Sequence, residues 1–379
     1  MDEVKNTTEK AGGRIARRVG IISLIVLGAI VALVFLVWGG LNLLKFAIYS
    51  DYYSIEETLC DNPGLGDGFV CQGIAISEED GKILVSGYMK DKSASRIYIT
   101  DLDDNSHYIT LRASGEDFTG HVGGIAVSGD RVFLANGGRL HEISLDTLLS
   151  LSEGDSIDVG EGIEVGCSAS FVYADENFVY VGEFHDGGKY VTEHPYETPD
   201  GLYHAIIAKY SLADLTAPIK IYSVRDKVQG VCFTPDGRVI LSTSYGLSST
   251  VYYVYDEADA IPSGNTLDGA PVYYLNGVKQ EIKGPAMGED LDWYDGGVIT
   301  LTESASDKYI FGKFFFANDI VKLDFWQLKN TPTSLCRRGI FIFFRVFFSS
   351  VLTFKSSCGK IVLFEFYLIA DALGGLHGE

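Results

Sequence analysis

Gln72-Gly73-Ile74-Ala75-Ile76 decides the reading of this chain, because it recurs. Gly123-Gly124-Ile125-Ala126-Val127 and Gln229-Gly230-Val231-Cys232-Phe233 repeat it, and Ser168-Ala169-Ser170-Phe171-Val172 resembles it more loosely. A fifth copy, Glu289-Asp290-Leu291-Asp292, keeps the same offset to the next apolar run. After each copy comes a short polar turn and then an apolar, β-type run, as in Lys82-Ile83-Leu84-Val85-Ser86 and Arg238-Val239-Ile240-Leu241-Ser242. Strand pairs recurring at roughly forty to sixty residues are the mark of a β-propeller, with four strands in each interval. The expected fold is therefore all-β, a propeller over residues 69–325 built from five blades. A sixth blade is possible if residues 48–60 and the strand near 319–324 pair to close the ring. Closure is expected in either case, because an open ring leaves strand edges unpaired.

The formal charge is −21, from 30 Lys and Arg against 51 Asp and Glu. The acid excess lies in the repeat region, while both ends are basic. Phosphate backbones require Lys and Arg to displace their counterions, so no nucleic-acid partner is expected. Cys60 and Cys71 bracket a turn-rich loop and could close a small disulfide outside a reducing compartment. Cys167 and Cys232 read as small buried hydrophobes. No Cys-x-x-Cys pair is present.

Residues 1–18 are polar and basic toward their end, with Arg14, Arg17 and Arg18. Residues 19–44 are almost uninterruptedly apolar, long enough for a hydrocarbon core of roughly 30 Å. This run is read as an uncleaved signal anchor, with a long signal peptide as the other reading. The arginines before it, against Lys45 just after it, place the N-terminus in the cytoplasm and the propeller outside the cell membrane, held by a single pass. Residues 45–68 form a spacer and first loop. Residues 326–379 break the repeat logic: they are basic and dense in Phe, as in Ile340-Phe341-Ile342-Phe343-Phe344. That tail reads as non-native sequence, as a frameshift would leave, with a second membrane-associated segment as the alternative.

In a propeller the innermost strands line a channel, so polar residues at their starts converge at one mouth. Here these are Gln72, His121, Ser168, Gln229, Glu289 and Asp290. Such a set hydrates a channel, binds a ligand, or holds a hard divalent cation such as calcium. Glu183 and Glu303, at equivalent offsets past second-strand runs, read as turn or inter-blade hydrogen-bonding residues. The insertion from His185 to Tyr203 reads as a lid or binding edge. With His204 just after it, its His185, Glu193 and His194 are weaker metal candidates, since their spacing matches no compact motif. No nucleophile elbow, Ser-His-Asp order, P-loop or Rossmann fingerprint occurs.

The Asp236-Gly237-Arg238 turn between a Gly-Val-x-Phe strand and an apolar strand, with the copies at Gly73, Gly124 and Gly230, resembles the six-bladed propellers of the strictosidine-synthase-like, gluconolactonase (SMP-30-like) and NHL group. Thr119-Gly120-His121-Val122-Gly123-Gly124-Ile125 with Val181-Gly182-Glu183-Phe184 is similar to segments of secreted or membrane-anchored bacterial propellers. The resemblance covers roughly residues 69–325. It implies the fold and, in the lactonase branch, a divalent metal on the axis held by carboxylate and amide side chains. No residue of that set transfers position by position. The function expected is a membrane-anchored extracytoplasmic platform that binds a small molecule, glycan or protein. The alternative is a metal-dependent lactonase- or esterase-type hydrolase using some of His121, Gln229, Glu289 and Asp290 around one divalent ion.

Overall fold

The computed structural model describes residues 2–309, 312 and 317–326, with side chains from Arg17 onward. Five antiparallel blades surround one axis, and each inner strand touches the inner strands of both neighbours. Those inner strands are Phe69–Ser77, Gly124–Ser128, Phe171–Ala174, Val228–Phe233 and Gly288–Tyr294. The second strands, Lys82–Met89, Arg131–Asn136, Phe178–Gly182, Arg238–Thr243 and Gly297–Thr302, are the apolar runs that come after each sequence repeat.

The recurring glycine has a steric cause. A Cβ on Gly73 would lie 2.6 Å from the backbone nitrogen of Ile125, and one on Gly230 would lie 2.5 Å from Cα of Asp290. At Gly73 and Gly230 the adjacent inner strands therefore meet too closely for a side chain on the glycine. Each inner strand is also entered through a left-handed residue: Gly68, Val122, Ala169, Lys227 and Met287 all have positive φ. For Val122, at φ 49°, that conformation is strained, and the buried packing around it holds it there.

The fifth blade closes the ring. Its third strand, Asp319–Leu323, pairs antiparallel with Glu56–Asp61, from Glu56 opposite Leu323 to Asp61 opposite Asp319. The two ends of the domain thus pair as expected, but as the outer half of the fifth blade. Among the described residues there is no sixth blade, and on this point the six-bladed resemblance is corrected. The helix Ser50–Ile55 precedes that outermost strand and buries Tyr52 and Ile55. Tyr52 stacks on Tyr252 with centroids 6.1 Å apart, and a Cβ on Gly284 would come within 2.8 Å of the Tyr52 ring.

One segment leaves its blade. Strands Ile261–Leu267 and Ala270–Tyr274 come after the third strand of blade four, yet they pair on the edge of blade three, with Ile221 opposite Val272. They cover the otherwise open edge of Asp214–Val224. The fourth strand of blade four is therefore Gln280–Ala286, and the fifth blade starts at Gly288. Between blades three and four, Tyr180 stacks on Phe233 with centroids 3.9 Å apart, and the Tyr173 hydroxyl donates to the Phe233 carbonyl at 2.8 Å.

All four described cysteines are free and buried. Cys60 and Cys71 form no disulfide. The Cys71 thiol faces the Thr302 carbonyl at 3.4 Å and accepts from the Asn62 amide at 3.2 Å. Cys167 and Cys232 are core residues, as their setting in the repeats suggested. At the N-terminus, Asp2–Ile48 is one helix. Its segment Arg17–Ile48, 32 residues containing an 18-residue stretch of mean hydropathy 3.0, is long and apolar enough to cross a membrane. The tail reading falls on residues that, apart from Trp326, lie outside those described. Trp326 caps the fifth blade by packing on Trp293, and its indole donates to Asp236 at 3.0 Å.

Candidate functional site

The starts of the inner strands open into a cavity of about 730 Å³. Gln72, His121, Ser168, Gln229 and Glu289, one from each blade, lie on its wall. The left-handed residues at the strand entries lie within four residues of these side chains, so each chain turns at the mouth close to the residue on the wall. Asp290 is not on that wall. It occupies the position that Gly73 and Gly230 hold in other blades, so its carboxyl lies inside the ring against Gly230. It is fully buried, and neither oxygen makes a hydrogen bond of ordinary geometry. Burial pushes its pKa well above the usual carboxylate range, opposed by the nearby amides of Leu291, Ile125 and Ile74.

The floor of the cavity is a carboxyl pair. Glu289 is 3% exposed and has no hydrogen-bond partner among the described residues. Burial first, then the charges of Glu303 and Asp290, push its pKa well up, and Lys308 opposes them. Glu303 accepts from the Gln72 side-chain amide at 2.9 Å and from the Tyr309 hydroxyl at 3.1 Å. Burial raises its pKa to about 7 despite Lys308 and those two donors. Above the pair, Lys308 bonds the Tyr88 hydroxyl and lies over the Tyr88 and Tyr309 rings at 4.5 and 4.9 Å. Tyr88 stacks on His121 at 4.4 Å. The protein around the His121 ring, then Lys308 and Lys189, lower its pKa, which favours the neutral imidazole near pH 7. The chemistry on offer is a neutral imidazole, two amides, hydroxyls and two carboxyls whose pKa values are raised by burial. That is a surface for hydrogen-bonding groups.

The insertion after blade three's second strand forms part of the wall through Phe184, Lys189, Tyr190, Val191 and Thr192. It is stapled at several points. Asp186 accepts from the amides of Gly188 at 2.7 Å and Tyr190 at 2.8 Å. The Thr192 amide donates to His185 Nδ1 at 3.1 Å, and the Thr192 hydroxyl donates to the His204 carbonyl. His204 donates from Nδ1 to Asp226 at 2.9 Å. Of the four weaker metal candidates, His185 and His204 come together and are joined by Asp226, which sequence reasoning did not single out. Among the described residues this is the one group of three such ligand atoms within 4.8 Å of one another. The two rings stack face to face, 4.5 Å apart and 12° from parallel. In-plane lone pairs of parallel rings run side by side and do not converge on one ion, so this geometry staples the loop. His194 instead bonds Glu183 at 3.0 Å, and Glu193 is exposed. Glu183 accepts from the amides of Ser168 at 3.1 Å and Ile206 at 3.3 Å, both within its own blade, where a turn or inter-blade role was expected.

Sequence reasoning missed Tyr88, Tyr245, Lys308 and Tyr309 on the cavity wall, and had Lys189 and Tyr190 only within the loop read as a lid or binding edge. It noted Glu303 as a turn or inter-blade hydrogen-bonding residue; the bond from Gln72 of blade one is inter-blade, and Glu303 also lies on the cavity wall. The signal for Glu303 was present, since its offset past the second strand puts it at the mouth end of blade five.

No protein-family model matches the chain, and no curated protein does. Solved structures do resemble it. The PQQ-bound aldose sugar dehydrogenase of Streptomyces coelicolor is 11% identical, with 70% of this chain and 95% of that one covered and a TM-score of 0.40. A gluconolactonase of Xanthomonas campestris is 14% identical, with 66% and 77% covered and a TM-score of 0.34. The hydrazine synthase of Kuenenia stuttgartiensis is 11% identical over 62% of this chain, with a TM-score of 0.34, and the match spans 55% of that protein's chain. At these identities the likeness extends to the fold and no further.

Proposed function

We propose that the protein is a membrane-anchored binding platform whose mouth cavity takes a small polar ligand rich in hydroxyl or amide groups, such as part of a glycan. The observation that carries this reading is Glu289. A carboxyl 3% exposed, on a cavity wall and without a partner among the described residues, is an expensive arrangement unless something from outside completes it. Gln72, Gln229 and the rim tyrosines add donors and acceptors around it. The helix Arg17–Ile48 is the anchor in this reading, with the arginines at its start inside and the propeller outside. Alkaline-carbonate extraction and protease protection of the full chain test the anchor. Retention in the membrane with the propeller accessible from outside is expected, and release of the chain would refute it. Thermal-shift titration with neutral sugars and polyols tests the site. Wild type should be stabilised and Glu289→Gln much less so.

The hydrolase alternative rests on one observation, that two carboxyls with raised pKa values share the cavity floor. A divalent ion between Glu289 and Glu303 would favour both charged forms. Among the described residues, His121, Glu289 and Asp290 do not form a three-ligand group, so amide oxygens of Gln72 and Gln229 would have to complete such a site. Metal content by mass spectrometry, with Glu289→Gln and Glu303→Gln as controls, tests it. One stoichiometric ion lost in both variants would favour the hydrolase.

A further inference from the structure

We propose that the cavity mouth rests on the lipid surface spanned by the N-terminal helix, so that the cavity opens onto the headgroup layer. This rests on the anchor reading above and adds an orientation to it. The first support is the junction. Helical hydrogen bonds run through it, from the Tyr49 amide to the Lys45 carbonyl at 2.8 Å and from the Tyr53 amide to the Tyr49 carbonyl at 3.0 Å. Phe46 and Tyr53 pack across it with centroids 4.5 Å apart. No slack segment separates the helix from the propeller.

The second support is where the junction docks. Tyr49 is 5% exposed, and its hydroxyl lies 3.1 Å from Ser249 Oγ. Ser249 ends the loop whose Ser244, Tyr245 and Gly246 form part of the cavity wall. The helix therefore enters at the rim of the mouth. Its length sets the height. The 32 residues of Arg17–Ile48 extend about 48 Å, against about 40–45 Å for a bilayer with its headgroups. With Arg17 at one surface, Tyr49 and the rim loop stand at headgroup level on the other.

The third support is the rim itself. Val191, Leu247, Tyr245 and Tyr190 are 67, 53, 47 and 37% exposed on two adjoining loops. The Phe184 ring joins those loops, 5.6 Å from Tyr190 and 6.1 Å from Tyr245. Lys189 stands among them, in a chain of net charge −21. Apolar and aromatic side chains interleaved with lysine suit the interface of a membrane containing anionic lipid.

The test uses the full chain reconstituted in phosphatidylcholine–phosphatidylglycerol vesicles with brominated acyl chains, which quench tryptophan on contact. Leu247→Trp and, separately, Val191→Trp place a reporter on the rim, and Trp38 reports on the span. The expected result is strong quenching of Trp38 and a roughly twofold loss of the added emission. Lys189→Glu, introduced into Leu247→Trp, should reduce the quenching of the added tryptophan and leave that of Trp38 unchanged. Trp38 quenched with both added tryptophans unquenched would overturn the proposal and leave the anchor standing. Trp38 unquenched would remove the anchor, and the proposal with it.

Discussion

Gly73→Ala tests the packing at the axis most sharply. The backbone of Gly73 has no positive φ, so alanine is conformationally permitted there, and any cost is steric. The new Cβ would meet Ser86 Oγ at 2.5 Å, the Ile125 nitrogen at 2.6 Å and the Gly124 carbonyl carbon at 2.8 Å. The serine hydroxyl could rotate, at the expense of its 3.0 Å bond to the Val122 carbonyl. The other two atoms belong to the inner strand of blade two and can move only if the blades separate. Overpacking against rigid neighbours costs about 3 kcal/mol, which for a domain of this size is roughly 6–12 °C in Tm. Gly66→Ala is the control: Gly66 is exposed, has no positive φ, and a Cβ there meets nothing within 4 Å. That substitution should be neutral or stabilise by about 0.5 kcal/mol. Thermal unfolding of both variants by circular dichroism decides. A Gly73→Ala protein melting within about 2 °C of wild type would show that the blades do not meet backbone to backbone.

Three further outcomes rest on the same geometry. Glu303 has a folded pKa of about 7, above its usual 4.5, so the folded state holds a proton that the unfolded state has lost. Stability should therefore fall as pH rises from 4.5 toward 7, and Glu303→Gln should exceed wild type by roughly 1–3 kcal/mol at pH 8 while matching it near pH 4.5, as urea titrations at both pH values would show. Tyr52→Ala empties the contact with Tyr252 and Gly284 beside the closing strand; chemical denaturation should show a loss of about 3–5 kcal/mol, and a loss below about 1 kcal/mol would contradict the closure described. Glu183→Ala strips acceptors from the amides of Ser168 and Ile206 and from His194; limited proteolysis should cut at residues 186–200 far faster than in wild type, and unchanged cleavage would argue that the loop is held by other contacts.

The five inner strands were legible because their glycines answer a local steric demand that repeats with the blade. Ring closure was only half legible. The pairing of the two ends was expected, but nothing in Glu56–Asp61 or Asp319–Leu323 tells whether they make a sixth blade or the outer half of the fifth, since long-range strand placement depends on register and packing rather than on local propensity. The displaced hairpin at 261–274 escaped for the same reason. In the cavity, the repeat itself brought out Gln72, His121, Gln229 and Glu289. Lys189, Lys308 and Tyr309 come from the loops between second and third strands, whose lengths differ from blade to blade, so periodicity could not find them. Glu183 and Glu303 hold equivalent offsets and differ only in surroundings. One meets backbone amides and a histidine, the other the Gln72 amide and the Tyr309 hydroxyl at the cavity. Asp290 shared its repeat position with glycines, and that identity placed it inside the ring and away from the mouth.

The measurement that tests the central claim most directly is calorimetric titration of the detergent-solubilised full chain with the sugar or polyol that most raises its melting temperature, run in parallel on Glu289→Gln. The binding account predicts saturable one-to-one binding to wild type and a loss of about 1.5–3 kcal/mol in the variant, with the variant's fold intact by circular dichroism. Equal affinity in both proteins, or no sugar or polyol that stabilises wild type, would contradict the assignment of the mouth cavity and its unpartnered carboxyl as the binding site.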